Sequence, residues 1–304
     1  MYRPEPITSA QNPKIKEAVS LGYRSDVRRG RGLFLVEGRR EVERCLAAGF
    51  RARCIFWCPE LLPDEELRAV AGEGLRAAAG EGAPFSPAEN FGRACENGAP
   101  SPADTILRSC KVFEVTRAVY GKIAYRGGTE GIIAEVEWRE FSLQDLAARR
   151  LAGQAPLIMV LESVEKPGNL GAVLRSADAA GADAVIVCDP LTDIYNPNLI
   201  RASVGAVFTV PTVCCSSEEA IKWLKDNHIQ ILTAQLQDSS LYYDRDMTAA
   251  TAIVMGTEST GLTDAWREAA DAHIRIPMLG VEDSLNVSVS AAILLFEAVR
   301  QRQK

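Results

Sequence analysis

The chain has 304 residues, of which 47% are apolar and 24% charged, and its formal net charge is −6. This composition is ordinary for a globular protein, and no apolar run approaches the roughly 18 residues of a membrane span. The first residues, M-Y-R-P-E-P-I-T-S, lack the apolar segment of a signal peptide, so we expect a cytoplasmic protein of about two domains.

The eight cysteines are scattered along the chain without the spacing of a zinc site. We therefore expect reduced thiols and no bound metal. Only two histidines are present, His228 and His273, which leaves few candidates for a histidine base.

The first half of the chain predicts a small α/β layer. Strands are predicted over residues 33–37, 52–57, 112–115 and 131–138, with helices over 12–21, 39–48, 63–71 and 118–125. Residues 72–102 are rich in Gly, Ala, Pro and Glu and predict irregular turns. We expect a first domain over residues 1–138 and a linker with a partial helix over 139–155.

Positive charge is concentrated at the N-terminal end. Residues 1–53 carry twelve basic and six acidic side chains, a net charge of +6, so the remainder carries −12. This asymmetry is expected when one part of a protein binds a polyanion. A solvated basic face is an equally good interpretation of the charge alone. The candidate anion-binding side chains are Arg28, Arg29, Arg31, Arg39 and Arg40.

The second half alternates strands and helices more clearly. Strands are predicted over 157–161, 184–188, 208–213, 229–234, 252–255 and 273–276, with helices from about Leu170, over 217–227 and over 286–301. Continuous apolar strands separated by helices predict a mainly parallel sheet covered on both faces. Ligands bind such sheets at the carboxyl ends of the strands.

The helix near Leu170 has apolar residues at i, i+3, i+4 and i+7, namely Leu170, Val173, Leu174 and Ala177. Arg175 lies off that stripe. Asn286 or Ser284 is a suitable cap for the final helix, which is apolar almost all round and is therefore expected to be buried.

Known nucleotide motifs are missing from the sequence. No G-x-G-x-x-G follows the first strand of the second half, and no G-x-x-x-x-G-K-[ST] occurs. A dinucleotide site, a glycine-loop methyltransferase site of the Rossmann kind and a phosphate loop are therefore disfavoured.

Three stretches of the second half form a recognisable set: E-K-P-G-N-L-G-A-V-L-R-S-A-D at 165–178, N-P-N-L-I-R-A-S-V-G-A at 196–206, and the loops G-T-E-S-T-G-L at 256–262 and P-M-L-G-V-E-D-S-L-N at 277–286. In order and spacing they resemble the motifs of the SpoU/TrmH family of S-adenosylmethionine-dependent RNA 2′-O-ribose methyltransferases. Residues 1–138 resemble, more weakly, the ribosomal-protein-like RNA-binding domain often fused in front. Several segments look closest to members that modify large-subunit ribosomal RNA.

The resemblance implies an α/β protein with a C-terminal trefoil-knotted methyltransferase domain over 156–304, although knots are nearly absent among protein folds. It implies S-adenosylmethionine as cofactor and a homodimer built by the C-terminal domain. Main-chain groups of the late loops would hold the cofactor at Thr233, Ala234, Gln235, Gly256, Ile276 and Leu285.

The implied chemistry is an in-line methyl transfer from a sulfonium to a ribose 2′-hydroxyl. Family motifs place five side chains around that hydroxyl: Asn169, Arg175, Glu258, Ser284 and Asn286. Because a guanidinium is not normally deprotonated in proteins, we interpret Arg175 as a clamp on the adjacent phosphate, with phosphate or water helping to remove the proton.

Taken singly, these residues have simpler interpretations, with Asn169 and Asn286 as helix caps and Arg175 and Glu258 as surface charges. Because all five polar residues occupy positions given by the family motifs, the active-site interpretation is favoured over these simpler ones. We therefore predict an RNA 2′-O-methyltransferase acting on ribosomal RNA, with transfer RNA as the next candidate. A non-catalytic RNA-binding or ribosome-assembly factor with the same fold is the alternative of a different class. A methyltransferase of another substrate is a weaker one.

Overall fold

The computed structural model describes residues 3–78, 102–125, 130–148, 155–257, 260–281 and 284–303. The strands are β1 Glu5–Ile7, β2 Leu33–Glu37, β3 Ala52–Trp57, β4 Lys111–Val115, β5 Ile132–Glu137, β6 Leu157–Glu162, β7 Ala184–Cys188, β8 Thr212–Cys215, β9 Gln230–Ala234, β10 Ser240–Leu241, β11 Thr251–Met255 and β12 Ala272–Arg275.

The helices are α1 Pro13–Tyr23, α2 Ser25–Arg31, α3 Arg39–Ala47, α4 Asp64–Ala78, α5 Pro102–Ser109, α6 Arg117–Ile123, α7 Leu143–Ala148, α8 Pro167–Ala179, α9 Pro197–Ala202, α10 Ala206–Thr209, α11 Ser217–Asp226, α12 Asp264–Ala269 and α13 Val287–Arg302. None of the helices within the described ranges is long and apolar enough to cross a membrane.

The chain forms two compact units. Unit 1 contains residues 1–139 and 195–209, and unit 2 contains residues 140–194 and 210–304. The chain therefore leaves unit 1 after Arg139 and returns to it for one short segment that begins at Tyr195. That segment carries the second of the three sequence motifs, 196–206.

Unit 1 is built on a five-stranded mixed sheet in the order β1-β4-β3-β5-β2. Its strands alternate their side chains between two apolar layers. Leu33 and Leu35 of β2 join a core that also contains side chains of α1 and α6. Phe34, between them, packs instead against a cluster of aromatic rings: Phe50, Trp138, Tyr195 and Phe208. Both faces of the sheet are thus covered.

Unit 2 is built on a seven-stranded sheet in the order β10-β12-β9-β11-β6-β7-β8, and every strand pair in it is parallel. The inner strands β6, β7 and β11 are buried along their whole length, as continuous apolar strands covered on both faces must be. The predicted parallel sheet is confirmed. The order reverses between β6 and β11, because the chain moves from β6 to β7 and β8 but later inserts β11 on the other side of β6.

The two helices that border the site form for local reasons. Pro167 occupies the first turn of α8, where its fixed φ suits the helix and its missing N–H costs nothing, so the helix begins before the predicted Leu170. The predicted apolar stripe of α8 is buried, and Arg175 is exposed. Asn286 caps α13 as predicted, with its Oδ1 accepting from the backbone N–H of Ser288 at 3.0 Å.

Two sequence predictions of secondary structure are wrong. The strand predicted over 208–213 is divided into α10 and β8, because a short apolar run does not distinguish a buried helix from a strand. The turns predicted from residue 72 are wrong over residues 72–78, because α4 continues to Ala78 despite Gly72 and Gly74. The remainder of that prediction, residues 79–101, lies outside the described residues. The elements for which no range was predicted include β1, α2, α5, α9, β10 and α12.

Candidate active site

A cavity of about 440 Å³ lies at the carboxyl ends of β9, β11 and β12 in unit 2. This is where an open parallel sheet is expected to bind a ligand. Six sequence-predicted site residues line the cavity: Ala234, Gln235, Gly256, Ile276, Ser284 and Leu285. A seventh, Asn286, lines it where the chain enters α13. Residues 50 positions apart in the sequence are thus brought to one cavity by the sheet.

A smaller cavity of about 120 Å³ adjoins the first, and Gly256, Thr257 and Val287 line both. Its other wall is the loop after β6 and the start of α8, including Asn169. It therefore lies at the reversal of strand order between β6 and β11. Asn286 Nδ2 donates to Asn169 Oδ1 at 3.3 Å. The two predicted catalytic asparagines, 117 positions apart, are in direct contact.

The loop after β11 closes tightly on itself. Thr257 and Gly261 exchange two backbone hydrogen bonds, of 3.3 and 3.2 Å. Thr257 Oγ1 accepts from the backbone N–H of Thr260 at 3.0 Å. A Cβ on Gly256 would lie 2.3 Å from the carbonyl carbon of Gly261, so only glycine fits at position 256. Glu258, a predicted catalytic residue of this loop, lies outside the described residues.

Two predicted residues lie away from the cavity lining. Thr233 is fully buried in β9, and its Oγ1 is 2.6 Å from His273 Nδ1 in the neighbouring strand. Because strand side chains alternate between faces, Thr233 points into the protein whereas the chain at Ala234 reaches the cavity. Arg175 is exposed on α8 and lines neither of the two cavities.

Sequence reasoning missed several lining residues, of which Arg275 is the most informative. Its Nη1 donates to the carbonyl oxygen of Ser239, and this hydrogen bond holds the cationic side chain of Arg275 at the cavity. The signal was available, because Arg275 directly precedes the predicted Ile276 at the end of β12. Within the described ranges, no group of three or more His, Cys, Asp or Glu side chains could hold a metal ion.

The basic residues of unit 1 require one correction. Arg28 is only 2% exposed, and its Nη1 donates to the carbonyl oxygen of Leu21 at 2.7 Å. It therefore stabilises the end of α1 and is not available at the surface, contrary to its prediction as an RNA-binding residue. A charge count along the sequence cannot separate a buried guanidinium from an exposed one.

The other four predicted basic residues lie at or near the surface. Arg29 and Arg40 are exposed, Arg31 is exposed and pairs with Glu17 at 3.1 Å, and half-buried Arg39 pairs with Glu66 of α4. Burial raises the pKa of Glu37, which lies close to Arg39 in the sequence, and its carboxylate accepts from the backbone N–H of Tyr125 at 2.8 Å.

Comparison with known proteins gives the family. Residues 156–296 match the model of the SpoU rRNA Methylase family, and residues 12–81 match an MRM3-like substrate binding domain. The 23S rRNA (guanosine-2′-O-)-methyltransferase RlmB of Escherichia coli K12 is 41% identical over 176 residues, which cover 57% of this chain and 72% of that protein. The chain belongs to the SpoU rRNA methylase family.

Solved structures of RNA methyltransferases match nearly the whole chain. A crystal structure of an RNA 2′-O ribose methyltransferase, 36% identical, covers 98% of this chain and 100% of its own, with a TM-score of 0.74. The AdoMet-bound rRNA methyltransferase of Sinorhizobium meliloti, 27% identical, covers 97% of both chains with a TM-score of 0.79. The predicted architecture, a SpoU domain preceded by an α/β domain, is confirmed, while the threading of its knot stays a prediction.

Proposed function

We propose that this protein is an S-adenosylmethionine-dependent methyltransferase that modifies a ribose 2′-hydroxyl in large-subunit ribosomal RNA. The observation that carries the proposal is the contact between Asn169 and Asn286 beside a cavity at the strand ends of a SpoU domain. The relatives named for 23S ribosomal RNA support the substrate, because they align with more than half of this chain.

The main cavity suits the cofactor. Its volume of about 440 Å³ falls within the range of about 300–1,000 Å³ of small-molecule sites. Apolar side chains such as Met255, Ile274 and Leu294 line it next to polar ones. Gln235 Oε1 is buried without a hydrogen-bond partner among the described residues, so it can accept from a donor on a bound ligand. Bound S-adenosylmethionine supplies a methyl group on a positively charged sulfur.

Residues of this chain would position the ribose and manage its proton. Asn169 and Asn286 hold each other beside the cavity, which places their side-chain amides where they can orient the 2′-hydroxyl. Exposed Arg175 can grip the adjacent phosphate through a planar pair of N–H donors. Ser284 lies at the cavity, and Glu258 belongs to the loop after β11. The hydroxyl proton would leave to phosphate or water.

Substrate binding is assigned to unit 1. Arg29, Arg31, Arg39 and Arg40 would contact RNA phosphates, and the match to a substrate binding domain over residues 12–81 supports this assignment. Because the substrate is ribosomal RNA, we place the reaction in the cytoplasm.

The test is methyl transfer in vitro. Purified protein, protein-free large-subunit ribosomal RNA and S-adenosylmethionine labelled in its methyl group should yield labelled RNA. The labelled nucleotide should resist alkaline cleavage on its 3′ side, because the 2′-oxygen is blocked. Transfer RNA and small-subunit RNA serve as controls. Label found only in transfer RNA, or no label with any RNA, would contradict the proposed substrate.

We further infer that unit 2 forms a homodimer. Val289 and Phe296, seven positions apart on one face of α13, are 47% and 48% exposed, and Leu279 and Val281 in the preceding loop are almost fully exposed. Large apolar side chains that are this exposed are typical of an interface. Light scattering should give twice the 33.0 kDa chain mass, and Phe296→Glu should lower it to one chain. A wild-type mass of one chain at micromolar concentration would refute the dimer.

A further inference from the structure

A buried carboxylate that no sequence motif singled out lies next to the loop after β11. Glu162 is the last residue of β6 and is 3% exposed. Among the described residues its partners are hydroxyl and amide donors, and no Lys or Arg pairs with it. A buried carboxylate costs free energy unless hydrogen bonds satisfy it, so these donors determine its role.

Thr263 supplies the two shorter hydrogen bonds. Its backbone N–H donates to Glu162 Oε2 at 2.9 Å, and its Oγ1 donates to Oε1 at 2.7 Å. Ser217 Oγ is also near Oε1, at 3.2 Å, but it is only 2.6 Å from Asp189 Oδ2. A hydroxyl has one proton, and the closer acceptor is Asp189. Thr263 is therefore the principal partner of Glu162.

The hydroxyl of Thr263 does not serve as a helix cap, although Thr263 occupies an N-cap position. Thr263 is the N-cap residue of α12, a position where threonine normally accepts a hydrogen bond from a helix N–H. It makes no such bond here, and its hydroxyl donates to Glu162. The bond therefore fixes Thr263 to β6 and does not cap the helix.

This bond holds the returning end of the loop that borders the cavity. Met255 pairs with Leu161 across β11 and β6, so the loop leaves the sheet at Gly256, beside Glu162. The loop returns at Thr263, two residues after cavity-lining Gly261. The two sides of the loop are in contact, because Thr257 and Gly261 exchange two backbone hydrogen bonds. Glu162 holds the returning end next to the departing one.

We propose that Glu162 is a positioning residue that holds Thr263, and with it the Gly261 side of the loop after β11, against β6 and thereby sets the affinity of the cavity for S-adenosylmethionine. The inference rests on the proposed function, because it assumes that cofactor. It assigns to Glu162 no contact with substrate or cofactor. Loss of the hydrogen bonds between Glu162 and Thr263 should make Gly256, Thr257 and Gly261, which line the cavity, less well ordered. RNA binding by unit 1 should not change.

The experiment uses the full-length protein and four variants, with S-adenosylmethionine affinity measured by calorimetry and RNA affinity by filter binding. Thr263→Val removes the hydroxyl but keeps the shape, and Thr263→Ser keeps the hydroxyl. Glu162→Gln replaces one acceptor oxygen by a donor group that opposes a Thr263 donor. Ser217→Ala removes the other neighbour of Glu162 from the same buried network and is the matched control.

We expect Glu162→Gln to raise the Kd of S-adenosylmethionine about tenfold, which corresponds to the loss of one charge-assisted hydrogen bond. Thr263→Val should raise it about fivefold. Thr263→Ser and Ser217→Ala should stay within about twofold of wild type, and RNA affinity should not change in any variant. The KM for cofactor should follow its Kd, while the KM for RNA stays constant.

Two results would overturn the inference alone: an unchanged cofactor Kd in Thr263→Val and Glu162→Gln, or an increase in Ser217→Ala as large as in Thr263→Val. The second result would mean that the network only stabilises the fold. Wild-type protein that binds no S-adenosylmethionine would overturn the proposed function and this inference with it, so the two failures are distinguishable.

Discussion

Asn286 uses both atoms of its side-chain amide. Its Oδ1 accepts from the backbone N–H and the hydroxyl of Ser288, at 3.0 and 2.6 Å, and so caps α13. Its Nδ2 donates to Asn169 Oδ1 across the site. One residue thus links the start of the final helix to the start of α8, and the two tasks can be separated by substitution.

We predict that Asn286→Ser keeps the cap, because serine is a good N-cap residue, but loses the reach to Asn169. Methyl transfer should fall strongly while stability stays near wild type. Asn286→Ala should lose activity and, in addition, about 1 kcal/mol of unfolding free energy. Activity and urea denaturation measured on both variants check this. An active serine variant would show that the contact with Asn169 is dispensable.

A second prediction concerns Arg175. As a phosphate clamp it needs the planar fork of the guanidinium, so Arg175→Lys should reduce activity strongly and Arg175→Ala should nearly abolish it. Cofactor binding should survive in both, because Arg175 does not line the cavity. Rates are to be measured across pH. Recovery of the lysine variant towards the wild-type rate at alkaline pH would favour Arg175 as a base.

At the scale of the element, α2 marks a limit of sequence reasoning. The segment S-D-V-R-R-G-R has no apolar stripe, and its helix is held by the burial of Arg28 against the end of α1. By contrast, the inner strands β6, β7 and β11 of unit 2 were predictable because each is a continuous apolar run. Propensity and periodicity predict elements that pack by apolar faces. They do not predict elements held by a buried polar side chain.

The same comparison applies to the site. Motif positions predicted Asn169, Gly256, Ser284 and Asn286 as neighbours, and the structure brings them to adjoining cavities. The Glu162–Thr263 contact joins residues 101 positions apart through side-chain hydrogen bonds, which leave no periodic signal in a sequence.

The exposed basic residues of α2 and α3 give a third prediction. Arg29→Glu, Arg31→Glu and Arg40→Glu combined should weaken RNA binding and flatten its dependence on salt, because fewer counterions are released. Arg28 is left intact, since its replacement would disturb the fold. Lys222→Glu, on exposed α11 of unit 2, is the matched control. Equal RNA affinity in the triple variant and wild type would reduce this basic region to a solvated face.

At the scale of the whole molecule, the chain returns from unit 2 to unit 1 for the segment that carries the second motif. The segment 195–209, predicted as part of the methyltransferase domain, packs in unit 1. The ring of Tyr195 stacks on Phe34 at 4.0 Å between centroids, and its hydroxyl donates to the carbonyl oxygen of Arg139 at 2.6 Å. A domain boundary based on sequence order alone cannot represent a segment that returns to the first unit.

The fourth prediction follows from that packing. Tyr195→Ala should destabilise the protein by about 3–5 kcal/mol, the usual cost of removing a buried aromatic side chain. Tyr195→Phe keeps the stacked ring and should lose about 1 kcal/mol, the value of one hydrogen bond. Chemical denaturation followed by fluorescence measures both. Equal losses in the two variants would mean that the hydroxyl, and not the ring, holds the segment.

The most direct test of the central claim is the map of 2′-O-methyl nucleotides in large-subunit ribosomal RNA from cells with and without the gene. The account predicts that one 2′-O-methyl nucleotide disappears on deletion. The gene for the wild-type protein should restore it, and the gene for Asn286→Ala should not. An unchanged map in the deleted strain, or a lost methyl group that resides on a base, would contradict the account.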